Sequence, residues 1–121
     1  MVKKILIVED DIILSMATKH YVESLGHKVV RSVRNGLDAI AGVKKYNPDV
    51  ILMDIRIEGE MDGIEVMEQI QIFSDVKAIY LTGNSEPTAK QRAEKTNMLA
   101  FCIKPVSIED IKVAMEKCYN K

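Results

Sequence analysis

Residues 36–54 read GLDAIAGVKKYNPDVILMD. The first eleven place Leu37, Ile40 and Val43 at helical spacing. Asn47-Pro48 ends the pattern, because a proline steers the residue before it out of the helical region. An apolar run, VILM at 50–53, follows at once and closes on one carboxylate, Asp54. A helix feeding a short, wholly apolar strand is half of a βαβ unit, and such a strand is covered on both faces. Burying an unpaired carboxylate would force it to take up a proton, so Asp54 needs company.

The same alternation runs outward in both directions. Short apolar runs lie at 2–8 (VKKILIV), 28–33 (KVVRSV), 77–81 (KAIYL) and 99–103 (LAFCI). Between them, segment 11–25 puts Leu14, Ala17, Tyr21 and Leu25 on one stripe, with Gly26 where a left-handed cap belongs. Segment 63–72 shows Ile64, Met67 and Ile70 or Gln71, and the polar segment 87–96 starts at Pro87. Segment 107–119 presents Ile108, Ile111, Met115 and Cys118, with Ser107 and Asp110 spaced as a capping box. Five strands alternating with five helices predict an α/β doubly wound parallel sheet. No linker or low-complexity tract divides the 121 residues, so one domain over 1–121 is expected.

The net charge of −1 gives no general attraction to nucleic acid or an anionic membrane. No apolar run approaches the roughly 20 residues of a membrane span. MVKKILIV reads as a strand rather than a signal peptide, and a cytoplasmic location is expected. Cys102 and Cys118 have no metal or redox spacing and read as reduced thiols. His20 and His27 have no acidic or histidine partners in the sequence and read as structural or surface residues.

In a doubly wound sheet, ligands bind outside the carboxyl ends of the strands. The first run ends in Glu9-Asp10-Asp11, the third in Asp54, the fourth in Thr82-Gly83-Asn84 and the fifth in Lys104-Pro105. The three acids could simply cap the first helix, where negative charge is favourable. One cap needs one such residue, however, and a fourth acid faces them from the third strand. A cation relieves their repulsion, and hard oxygen donors without histidine or cysteine suit Mg2+. Thr82 and Lys104 suit phosphate oxygens. Together these residues imply phosphoryl transfer with Asp54 as nucleophile.

ILIVEDD at 5–11, NPDVILMDI at 47–55, MDGIE at 61–65, YLTG at 80–83 and AFCIKP at 100–105 occur in the order of one family. The chain resembles the receiver domain of two-component response regulators, of the stand-alone chemotaxis-regulator type. The resemblance implies a flavodoxin-like (βα)5 fold with strand order 2-1-3-4-5. It implies a phosphoryl group passed from the phosphohistidine of a histidine kinase or histidine phosphotransfer protein to Asp54. It further implies Mg2+, with Mn2+ as substitute, bound by Asp10, Asp54, the backbone carbonyl of Arg56, and Glu9 through water. Thr82 and Lys104 would contact the phosphoryl group, Thr82 and Phe101 would act as the switch, and Lys104-Pro105 would be cis. Such a receiver catalyses only its own phosphorylation and dephosphorylation, is not a conventional enzyme, and controls a downstream effector. Neither direct nucleic-acid nor membrane contact is implied, and the expected state is a monomer or weak homodimer.

The loop after Asp54, IRIEGEMDG at 55–63, departs from the family by lacking its usual proline and by adding Glu58 and Glu60. Gly59 supplies turn freedom there. Arg56 and Asn84 occupy positions that modulate dephosphorylation in the family. A dehalogenase-type phosphatase would need a second aspartate where Arg56 stands. A flavin carrier would need a phosphate-friendly loop where Glu9-Asp10-Asp11 stands, and a degenerate receiver would lack part of the site. The chain is read either as free-standing or as a receiver cut from a larger regulator or hybrid kinase. Ile12 and Ile13, beside the site, are expected to dock the phosphodonor protein, unless one of them packs inward.

Overall fold

A computed structural model describes residues 2–83 and 87–118. In chain order the elements are β1 (Lys4–Val8), α1 (Ile12–Ser24), β2 (Lys28–Val33), α2 (Gly36–Tyr46), β3 (Val50–Asp54), α3 (Gly63–Ile70), β4 (Lys77–Thr82), α4 (Pro87–Glu94), β5 (Met98–Ile103) and α5 (Ile108–Glu116). All strand pairs are parallel and the sheet order is β2-β1-β3-β4-β5, the flavodoxin-like receiver arrangement.

The central strands alternate between two cores, as the period of two in a strand requires. Leu6, Val8, Ile51, Met53 and Tyr80 meet Val43 of α2 and Ile64, Met67 and Ile70 of α3. Ile5, Ile7, Val50, Leu52, Ile79 and Leu81 meet Val22 of α1 and Ile111 and Met115 of α5. Both faces of β3 are buried along its whole length, which is why it reads as an unbroken apolar run.

Helix ends form where the local chemistry supplies them. Asp11, Asn35, Asp62 and Ser107 cap α1, α2, α3 and α5, and Asp62–Glu65 and Ser107–Asp110 are full capping boxes. Gly26 adopts φ 89 after α1, as its place beyond the last turn predicts. α2 instead ends on Asn47 at φ 47, a left-handed residue that tolerates this conformation without being glycine.

The predicted apolar stripes hold from the second turn of α1, α2 and α5 but fail in the first, whereas in α3 Ile64 is buried from the first turn. Leu14, Leu37 and Ile108 are exposed, Leu37 at 74%. In α1 the residues that reach the core are Thr18 and Val22, with Tyr21 and Leu25 half-buried against it. These three first turns lie beyond the carboxyl ends of their strands with no sheet to cover, whereas the first turn of α3 is held against the end of β3 by the Gly63 N–H bond to the Ile55 carbonyl.

His27 is half-buried, and its Nδ1 accepts the Lys3 N–H at 3.1 Å. Burial above all, with the charge of Lys3 among the lesser causes, holds its pKa below the ordinary histidine value. Below about pH 6.5 the unfolded chain therefore takes a proton that the folded chain refuses, and stability falls with pH until the folded imidazole titrates. Urea midpoints measured from about pH 7.5 to 5.5 should fall more steeply in wild type than in His27→Asn. That variant keeps an acceptor but does not titrate, and parallel slopes would contradict the assignment. His20 is exposed and its ring lies 6.4 Å from that of Tyr21. Among the described residues no helix is long and apolar enough to cross a membrane.

Candidate phosphoryl-transfer site

The acids after β1 divide their work. Asp11 caps α1, its Oδ1 accepting the Leu14 N–H at 3.0 Å. Glu9 and Asp10 do not cap α1. One carboxylate oxygen of each lies within 4.8 Å of the others and of Asp54, on the neighbouring strand. The capping account therefore covers one acid of three.

Glu9 is 3% and Asp54 4% exposed, so neither charge can rely on water. Their partner is Lys104, which follows β5. Its Nζ donates to Glu9 Oε1 at 2.9 Å and to Asp54 Oδ2 at 3.0 Å. The Arg56 N–H donates to Asp54 Oδ1 at 3.1 Å, and the Asp11 N–H to Glu9 Oε2 at 3.3 Å. Burial, and then the hydrogen-bonded Asp54 carboxylate, hold the Glu9 carboxyl above its ordinary value, with Lys104 opposing. Burial works to lower the Lys104 ammonium, but the Glu9 and Asp54 carboxylates outweigh it and raise its pKa.

Register explains the convergence. Asp54 pairs with Leu81, so the buried Thr82 stands one residue further along the next strand. Thr82 pairs with Ile103, and its carbonyl accepts the Lys104 N–H at 2.7 Å. The Lys104-Pro105 bond is cis, as expected. Phe101 pairs with Tyr80, their rings 6.4 Å apart and tilted by 50°. Asn84 lies outside the described residues.

Three features escaped the sequence. Gly63 approaches Asp54 so closely that a Cβ would lie 2.3 Å from the Asp54 carbonyl oxygen. Arg92 of α4 holds the α3 cap Asp62 with two bonds, at 3.0 and 3.3 Å. Tyr80 Oη lies 2.6 Å from Thr96 Oγ1, which itself donates to the Ala93 carbonyl. Gly63 stood in the sequence only as part of the MDGIE motif, and nothing there signalled that another backbone lies against it. The proline-less loop also acquires a path: Glu58 bridges to Asn35 and pairs with Arg34 at 3.2 Å.

Among the described residues the donor set at this edge is three carboxylates in one group, which fits a hard divalent cation. Comparison with known proteins then decides the family. The response regulator receiver domain matches residues 5–116. The chain belongs to this receiver family. It is 30% identical over 116 residues to sporulation initiation phosphotransferase F of Bacillus subtilis, covering 95% of this chain and 92% of that one. It is 30% identical over 121 residues to the chemotaxis protein CheY of the same organism, covering 99% and 100%. Among solved structures, a DNA-binding response regulator of the LuxR family from Staphylococcus aureus superposes with a TM-score of 0.89 at 29% identity, covering 98% of this chain and all of that one. Other matched relatives are longer, and the receiver spans 58% of the length of one such regulator. Receivers of this family serve phosphotransfer in two-component signalling and bind Mg2+ at an acidic cluster, the place that Glu9, Asp10 and Asp54 occupy here.

Among the described residues, Lys104 is the ammonium bonded to both buried carboxylates. Lys104→Met should lower stability in metal-free buffer by about 2–3 kcal/mol, since it leaves two like charges facing each other. Added Mg2+ should recover part of that loss. Thermal melts in EDTA and in Mg2+ check this, and a loss that Mg2+ leaves unchanged would contradict the charge argument.

Proposed function

We propose that Asp54 is the phosphoacceptor of this receiver. The observation that carries the reading is the Lys104 ammonium bonded to both Glu9 and Asp54 at a cluster of oxygen donors. An Asp54 carboxylate oxygen attacks the phosphorus of a phosphohistidine on a histidine kinase or histidine phosphotransfer protein. The new P–O bond forms as the P–N bond breaks, and the histidine nitrogen leaves with the bond pair. Lys104 follows the charge onto the transferred phosphoryl oxygens, and the Thr82 hydroxyl donates to them. Asp10, Asp54 and the Arg56 carbonyl would hold Mg2+ or Mn2+. Glu9, with Oε1 already taken by Lys104, would act through water. Bound there, the cation neutralises the clustered carboxylates and the incoming phosphoryl group.

The product adds about −1.5 to −2 charges and three acceptor oxygens at the sheet edge. Thr82 drawn toward them vacates space for Phe101, and the surface of α4, β5 and α5 changes for a downstream effector. Ile12 and Ile13 are both exposed, so neither packs inward. Both are free to meet the phosphodonor protein. We take residues 1–121 as one cytoplasmic receiver domain, monomeric or weakly dimeric, that acts only on its own aspartate.

Incubation with a small phosphodonor and Mg2+, followed by intact mass and peptide mapping, tests the reading. One phosphoryl group on the peptide carrying Asp54 is the expected result. No added mass, or a label on another residue, overturns it.

A further inference from the structure

The first turn of α2 and residues 58–61 enclose a groove of about 620 Å3 that the phosphoryl site does not use. Its walls are already built. A Cβ on Gly36 would lie 2.6 Å from Val66 Cγ2 and 3.1 Å from Met61 Cε, so α2 enters with bare backbone at this point. The Asn35–Glu58 bridge and the Arg34–Glu58 ion pair hold the loop against the start of α2. Asn35 Oδ1 caps Asp38, and Asn35 Nδ2 holds its carboxylate at 3.0 Å. Gly59, at φ 102, gives the turn between the two rim acids.

The lining combines two chemistries. Leu37 stands 74% exposed, and Met61 is half-buried against the core beneath. Around them lie the exposed carboxylates Asp38, Glu58 and Glu60, and among the described residues no lysine or arginine lines the groove. The neighbouring groove over β2 shares Asp38 and Glu58 but sets Arg31, Arg34 and Lys45 against them, so it lacks this one-signed rim.

We propose that this groove docks a protein segment presenting an apolar side chain flanked by lysine or arginine. The apolar side chain covers Leu37 and Met61, and the cations meet Asp38, Glu58 and Glu60. Charge complementarity selects this occupant. An acidic segment is repelled at the rim, and the groove over β2, where cations already balance Asp38 and Glu58, attracts a basic one less. Walls fixed before binding spare the ordering that a mobile loop would require. The proposal stands apart from the assignment of Asp54, since none of these residues belongs to that cluster.

The test is titration of 15N-labelled protein with an end-blocked peptide of alternating leucine and lysine, beside its glutamate counterpart. Saturable shifts are expected at amides 35–38 and 58–61 with the lysine peptide alone. Leu37→Ser and Glu60→Lys, both at exposed positions, should each weaken binding about tenfold while leaving the spectrum outside the groove unchanged. Shifts centred on α1 or on Glu9 and Asp10, equal binding of the glutamate peptide, or unchanged affinity in Leu37→Ser would overturn the proposal. So would a dimer, seen by sedimentation without peptide, that Leu37→Ser dissolves, since the occupant would then be a second copy of this chain.

Discussion

Asp54→Asn will take up no phosphoryl group from a small phosphodonor in Mg2+, and it will melt no lower than wild type in EDTA. The first half follows from chemistry, since a carboxamide lacks the anionic oxygen that attacks phosphorus. The second half follows from the site. Two buried carboxylates share one ammonium, and Asp54 is among the causes that hold Glu9 above its ordinary pKa. Removing the Asp54 charge leaves Glu9 and Lys104 as a balanced pair. The amide oxygen can still accept the Arg56 N–H that Oδ1 accepts now. The change in stability should stay within about 1 kcal/mol of wild type, on the stable side. Mg2+ should raise the melting temperature of wild type more than that of the variant, because binding to the folded state is what stabilises it. Equal phosphoryl uptake by the variant would remove Asp54 from its role. A variant that melts well below wild type would show that the charge balance is misread.

Gly63→Ala is the second large effect, and it acts through backbone alone. The added methyl would sit 2.3 Å from the Asp54 carbonyl oxygen, 2.8 Å from Met53 Cγ and 3.0 Å from Ile55 Cα. Two of those three atoms are main chain and cannot swing aside. The Gly63 N–H also donates to the Ile55 carbonyl at 2.7 Å, so the start of α3 is bonded to the strand end that it would have to leave. Overpacking of this kind should lower stability by about 3 kcal/mol, or roughly 10–15 °C in Tm for a domain of this size. Because the displaced atoms belong to Asp54 and its neighbours, phosphorylation of the remaining folded protein should also slow. Gly83→Ala is the control: a Cβ there meets nothing within 4 Å, and its stability should hardly change. Equal melting temperatures for the two variants would rule out the close approach at Gly63.

Much of this protein was legible in one dimension because parallel strands and their helices leave different periods. VILMD, ILIV and KAIYL announced a sheet covered on both faces, and the structure buries Val50–Asp54 completely. The polar residues at the strand ends were legible for the same reason, since in a doubly wound sheet the edge that binds ligands follows from strand direction. Leu14, Leu37 and Ile108 were misread because periodicity records which side of a helix a residue is on, not whether any sheet lies beneath that turn.

The sequence by itself determined the alternation of elements, the edge where chemistry gathers, and Asp54 as its odd carboxylate. Those are properties of residue type and spacing. Only the tertiary structure decided that Lys104, fifty residues beyond Asp54, bonds it and Glu9 together, and that Gly63 lies against the Asp54 backbone. It also decided that the proline-less loop is held through Glu58 to Arg34 and Asn35. These are contacts between strands and loops far apart in the chain. Their distances are set by sheet register and close packing, which no local spacing encodes.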